Sequence, residues 1–217
     1  MTICPYTDLL FFISSSVLRR FANEESMNKY IDIPASELKI IPHKQIHRRV
    51  CEAYQRSLGT SNYFLTPFSI KKGSAIYGVI FGSQNLRGLE KFLTVCWDND
   101  RVTGEANYDI DDDIQRYGQL ALFDEDKKIK KQDEFKTNLL KYIEDKSNTN
   151  AFVTNHEIRR FMLRSGFLSK HTNEILRELY DANVIEVINP YPKNYNIMKR
   201  SFYLSNDEKK TIHIKKK

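Results

Sequence analysis

Apolar and polar positions divide the chain into two differently patterned parts. In the first, "TDLLFFISSS" sets five consecutive apolar residues, Leu9 to Ile13, ahead of three serines. A run apolar on both faces predicts a strand buried in a parallel sheet, with helices covering each side. Val17, Leu18 and Phe21 follow at helical spacing, with a serine as N-cap. A second helix is predicted from Pro42 to about Arg56, with Ile46, Val50, Ala53 and Tyr54 on one side. "NYFLTPFSIKKGSAIYGVIFGS" holds two apolar strands around "KKGS", whose glycine suits the turn of an antiparallel hairpin. A further helix, Leu86 to about Trp97, turns Leu89, Phe92, Leu93 and either Val95 or Cys96 inward.

From Asp133 onward the period is helical three times in close order. About Glu134 to Asp145 places Phe135, Leu139, Tyr142 and Ile143 on one stripe. "TNHE" is a capping box of Thr154 and Glu157 that opens the second helix. Its inner face is Ile158, Phe161 and Met162, which leaves Arg159, Arg160 and Arg164 outside. After an "SGF" turn the third helix runs from Ser169, a natural N-cap, to about Ala182, with Leu168, Thr172, Ile175, Leu176 and Leu179 facing in. "VIEVI" and "SFYLS" then read as two strands around "NPYPKNYNIMKR". Three helices and a two-stranded wing make a winged helix-turn-helix, expected over 133–205, with a basic tail over 206–217.

Charge sharpens this division. Met1 to Phe123 balances at 14 basic against 14 acidic residues, whereas Asp124 to Lys217 has 20 against 14, so the net +6 lies entirely in the second part. A basic module beside a neutral one suggests an anionic partner. In a winged helix the third helix enters the major groove. The residues opposite its apolar stripe are Lys170, Asn173, Glu174 and Arg177, with His171 beside them. Lysine, asparagine and arginine read base edges or grip phosphate. Lys193, Lys199 and Arg200 of the expected wing would meet the flanking backbone of duplex DNA. Many winged helices dock on proteins instead, and Glu174, Glu178 and Asp181 weaken the field of this one.

Elsewhere the chain offers little chemistry. No G-x-G-x-x-G, G-x-x-x-x-G-K-[ST] or G-x-S-x-G occurs. His43, His47 and Cys51 could share a helix face, but they lack a fourth zinc ligand, and "HKQIHRR" crowds them with cations. Solvated histidines are the plainer reading, so no metal is expected. "DNDRVTGEANYDIDDD" is acidic, but its glycine falls too late for a calcium loop, and a solvated acidic loop is expected. Cys4, Cys51 and Cys96 are odd in number and far apart, as reduced thiols of a cytoplasmic protein would be. No stretch is apolar enough for a bilayer or a signal peptide.

"TDLLFFISSSVLRRF", "PFSIKKGSAIYGVIFGSQNLRGLEKFLTVCWDND" and "GEANYDIDDD" resemble the C-terminal two-thirds of the three-Cys-motif partner (TcmP) family, and the similarity runs on into the C-terminal module. That bacterial family is associated with mobile elements and is named for a neighbouring three-cysteine, radical-SAM-like protein, the partner the resemblance implies. It also implies that "DLLFFI" is a late sheet strand, and the hairpin the final strand pair, of a methyltransferase-like doubly wound α/β fold. Residues 1–117 would then be the C-terminal half of such a sheet. The family's upstream half, with its glycine-containing S-adenosylmethionine loop and a "DPFG"-like segment, is not in this sequence. Neither S-adenosylmethionine binding nor catalysis is therefore expected of this chain alone. A strand buried on both sides also needs earlier neighbours, so a fragment, a split gene product or a partner that completes the sheet is expected.

Between the two parts, 118–132 reads as a linker that begins with "QLALF". The pentapeptide is similar to the bacterial sliding-clamp-binding motif, in which Gln119 would fill a polar pocket and Leu120, Leu122 and Phe123 an apolar one. A segment that packs back onto the sheet region is the plainer reading.

Overall fold

A computed structural model describes residues 7–25, 29, 31–42, 45–59, 62–105, 108–109, 121–188, 202–204 and 210–217, with backbone alone for 108–109 and 121–130. The chain divides into two compact units, Met1–Lys128 and Ile129–Lys217.

The first unit runs β1 (Leu9–Ser14), α1 (Ser15–Arg20), α2 (Ala35–Ile40), α3 (Ile46–Leu58), β2 (Phe64–Lys72), β3 (Ala75–Ser83), α4 (Leu86–Asn99) and β4 (Tyr108–Asp109). Its four strands lie in the order β1-β3-β2-β4. β3 is antiparallel to both β1 and β2, and β4 adds to β2 in parallel. The hairpin forms as its sequence predicts: Lys72 pairs with Ala75, and Gly73 turns the chain at φ 56°. A left-handed residue there suits glycine, which has no Cβ to clash. Ser14 caps α1 by accepting the Val17 amide at 3.4 Å, as expected.

One sheet face packs Ile13 and Ile80 against Ile46, Val50 and Ala53 of α3. Ile46, Val50 and Ile80 are fully buried, each contributing about 2 kcal/mol by leaving water. The other face packs Phe68 and Val79 against Cys96 of α4, with Phe92 stacked on Phe81 at 4.8 Å. Helix α4 turns Leu89, Leu93, Cys96 and Trp97 inward, while Val95 is exposed, which resolves the sequence ambiguity in favour of Cys96.

Four expectations for this unit are corrected. β1 is not buried between parallel neighbours: among the described residues it pairs with one strand only, antiparallel, and Leu10 and Phe12 are 55% and 68% exposed. Phe12 sits across from Val79 in register, but α4 packs on β3 and β2, and among the described residues Phe12 stays exposed. His47 is not a solvated histidine either; it is buried against β3. Helix α3 begins at Ile46 rather than near Pro42, and His43 lies outside the described residues. Among the described residues no three His, Cys, Asp or Glu side chains form a metal cluster. The acidic loop is also more ordered than a solvated run. Asp100 accepts the amides of Val102 and Thr103 at 2.9 and 3.1 Å, and Glu105 pairs with Arg48. Asp111 to Asp113 lie outside the described residues.

The second unit contains α5 (Ala121–Asn150, from Ile129 on), β5 (Val153–Thr154), α6 (Asn155–Arg164), α7 (Ser169–Asp181), β6 (Ile185–Ile188) and β7 (His213–Lys216). Phe135, Leu139 and Ile143 of α5 are buried, together with Ile158 and Met162 of α6 and Ile175, Leu176 and Leu179 of α7. The Phe135 and Phe167 rings stack at 3.9 Å. These are the inward stripes that the period predicts. The "SGF" turn is a Schellman closure: Phe167 N–H reaches Met162 O at 2.9 Å, Gly166 N–H reaches Leu163 O at 3.1 Å, and Gly166 sits at φ 77°. Asn183, at φ 59°, closes α7 in the same way, with Val184 N–H bonded to Leu179 O at 2.9 Å.

Here too the sequence reading needs correction. The partner of β6 is not "SFYLS" but β7, the middle strand of a three-stranded sheet ordered β5-β7-β6. The expected basic tail therefore supplies the central strand, with Ile212 and Ile214 fully buried. Residues 121–132, expected as a linker, form the first turns of α5. Leu122 and Phe123 stand in that helix; Gln119 and Leu120 lie outside the described residues. Among the described residues, no helix is long and apolar enough to cross a membrane.

Candidate nucleic-acid interface

The site begins with the cap that orients α6. Thr154 Oγ1 accepts the Glu157 amide at 3.2 Å, and the Glu157 carboxylate accepts the Thr154 amide at 3.0 Å, which is the capping box the sequence predicts. Lys146 of α5 binds the same carboxylate at 3.1 Å. Burial alone would raise the Glu157 pKa, but the Thr154 amide, Lys146 and the Thr154 hydroxyl together hold it below the usual carboxylate range.

Helix α7 is the third helix of the motif. Its buried face, Thr172, Ile175, Leu176 and Leu179, leaves Lys170, Glu174 and Arg177 exposed on the opposite side. Lys170 and Arg177 make no ion pair among the described residues, so both cations face solvent. Of the three acids expected to weaken this field, Glu178 is engaged by Lys136 of α5 at 2.7 Å. Arg160 and Arg164 of α6 are exposed as well, but Arg159 is buried, contrary to its expected place outside.

Two residues assigned to DNA from the sequence are occupied otherwise. His171 is buried; its Nδ1 accepts the Leu168 amide at 3.4 Å, and its ring meets Phe167 edge-on at 5.9 Å. It closes the N-terminus of α7 from inside, because the N-cap is Leu168, one residue before the expected Ser169. Ser169 does not cap; its hydroxyl donates to Leu204 O at 2.6 Å. Asn173 Oδ1 accepts the Phe202 amide at 2.9 Å. Lys193, Lys199 and Arg200 lie outside the described residues.

Asn155 is a central residue that sequence reasoning passed over. Fully buried, it donates from Nδ2 to Tyr203 O at 2.9 Å and to Lys210 O at 3.0 Å, and its Oδ1 accepts the Ile212 amide at 3.0 Å. It thereby ties the start of α6 to the chain on both sides of 205–209. The only signal was an asparagine inside a capping box, which reads as part of the cap. The alternation Ile212-His213-Ile214 did signal β7, but it is brief and is followed by three lysines.

The sequence model of a family described as "GMT-like wHTH domain" matches residues 107–192. The match covers the helix-turn-helix and β6, while β7 lies beyond it. No curated protein and no solved structure matches the chain. The chain therefore carries a winged helix-turn-helix domain.

Proposed function

We infer that this winged helix binds duplex DNA through α7. The carrying observation is the solvent-facing pair Lys170 and Arg177, one helix face away from a buried stripe. A helix of this kind, held by two neighbours and a small sheet, fits the major groove, where lysine and arginine meet phosphate and base edges. The reading extends to a DNA-binding accessory protein of a bacterial mobile-element or defence-type system, as the TcmP resemblance implies, with the three-cysteine radical-SAM-like protein as its partner. Titrating a labelled duplex against the chain at rising salt tests the first part. Phosphate contacts make log K fall steeply with log salt, whereas a protein-docking module shows no duplex affinity to titrate.

A second reading concerns the first unit: one half of a split S-adenosylmethionine-dependent methyltransferase, completed by another polypeptide. It is supported by β1, which among the described residues pairs on one edge only and exposes Leu10 and Phe12. An apolar edge strand of this kind suits the addition of a further strand. The order β1-β3-β2, with β3 antiparallel between the other two, is compatible with a late strand followed by a final strand pair. Calorimetry with S-adenosylmethionine, on the chain alone and with its genetic-neighbour products, tests this. Binding by the mixture and not by the chain alone is the expected outcome under this reading.

A further inference from the structure

The seam between α5 and α6 carries a cationic surface that has no part in the α7 face. Phe161 of α6 lies flat on Tyr142 of α5, with ring centroids 4.5 Å apart and planes within 16°, and both side chains are half-buried. The charged groups that bear on the Tyr142 phenol are three cations, Lys146, Arg164 and Arg160, and one acid, Glu157. Lys146 and Glu157 hold each other at 3.1 Å, so the two arginines set the field there. Both arginines are exposed, four residues apart on one face of α6. Like charges at that spacing work against the helix, a local conflict of the kind kept at functional sites. Among the described residues the seam holds no exposed large hydrophobic side chain. A protein partner would need apolar anchors to bury there, whereas nucleic-acid interfaces are polar and rich in positive charge. Lys136, which reaches Glu178 of α7 at 2.7 Å, stands about 120° around α5 from Tyr142. Lys170 and Arg177 project from the side of α7 opposite its buried stripe, so the two cationic faces look in different directions.

We propose that Arg160 and Arg164 form a second phosphate-binding face, which takes the backbone of a second length of duplex DNA while α7 holds the first. This rests on the duplex-binding reading above. The forked guanidinium groups suit phosphate oxygens. Phosphate contacts carry no base information, so this face is indifferent to sequence. One chain thereby bridges two duplexes.

Two duplexes carrying different fluorophores, mixed with the chain, test this by energy transfer between them. Transfer is expected with the parent chain. The second-duplex affinity read from it should fall about tenfold for each arginine replaced in Arg160→Ala/Arg164→Ala. Affinity for a single duplex should stay within about twofold in that variant, and Arg160→Lys/Arg164→Lys, which keeps the charge, should retain most of the transfer. Circular dichroism checks that both variants keep the fold, as exposed positions allow. Transfer that survives the alanine variant overturns the proposal, since a pairing of two chains would then account for it. A loss of single-duplex affinity in that variant overturns it too, because the seam would then sit on the duplex that α7 holds. Polyglutamate binding that the alanine variant abolishes, with no transfer between duplexes, assigns the seam to an acidic protein instead. Single-duplex binding without transfer removes the second face and leaves the α7 reading in place. A parent chain with no duplex affinity removes both.

Discussion

His47 sits directly against the bare backbone of Gly78: a Cβ built at Gly78 would lie 2.4 Å from His47 Cβ and 3.4 Å from His47 Cα. That approach lets α3 settle onto β3, and it is why a strand otherwise rich in large residues carries a glycine at its centre. Gly78→Ala should therefore force the helix off the sheet and destabilise the first unit by about 1–3 kcal/mol. Trp97, the one tryptophan of the chain and a buried residue of this unit, reports its unfolding in urea. An unchanged midpoint would show that α3 can shift at no cost.

The same packing makes His47 a source of pH dependence. Burial, with Arg48 nearby, pushes its pKa down from 6.5 to about 4, so the folded state holds it neutral where the unfolded chain would protonate it. The folded pKa is the lower one, so this stability is fully present above about pH 7 and is lost as pH falls through 6.5 toward 4. Between pH 7 and 5 the loss should be about 2 kcal/mol. His47→Leu, which cannot titrate, should flatten that slope in Trp97-monitored denaturation. An equal slope in the variant would assign the effect to another group.

Asn155 joins α6 to the chain around β7 through three hydrogen bonds. Asn155→Ala removes the acceptor of the buried Ile212 amide and the donor to two part-buried carbonyls, at roughly 2–4 kcal/mol for the second unit. Urea denaturation followed by far-UV circular dichroism measures it, since the tryptophan lies in the other unit. A loss under about 1 kcal/mol would mean that water replaces the side chain.

For the DNA interface, Lys170→Ala/Arg177→Ala should weaken duplex affinity and leave the fold intact, because both side chains are exposed. Each lost phosphate contact should reduce the slope of log K against log salt by about one unit. If the double variant binds duplex as well as the parent does, α7 is not the reading helix, and the protein-docking alternative takes its place.

The boundary at Thr154 allows a smaller test. Thr154→Ala removes one half of the capping box and should cost the second unit about 1 kcal/mol, read from the same dichroism curves. No loss would show that Lys146 and Glu157 hold the helix start unaided.

Local signals in the sequence were sufficient wherever one element's own chemistry decides its form. The Thr154–Glu157 box, the Gly73 turn and the inward stripes of α5, α6 and α7 depend on neighbours within a few residues, and all appear where the period places them. The winged helix was legible for that reason. What the sequence could not supply was pairing at a distance. A lysine-rich tail becomes the central strand because Ile212 and Ile214 complete a core assembled by helices more than thirty residues earlier. His47 is buried because a glycine 31 positions away has no side chain to keep it out. Asn173, which by type and face should read DNA, holds Phe202 instead, because a hydrogen-bonding side chain goes to whichever partner the folded chain brings within reach. Residue type and period determined the elements and their inner faces; which strand fills a sheet and which polar group is left for a ligand were decided by tertiary contact alone.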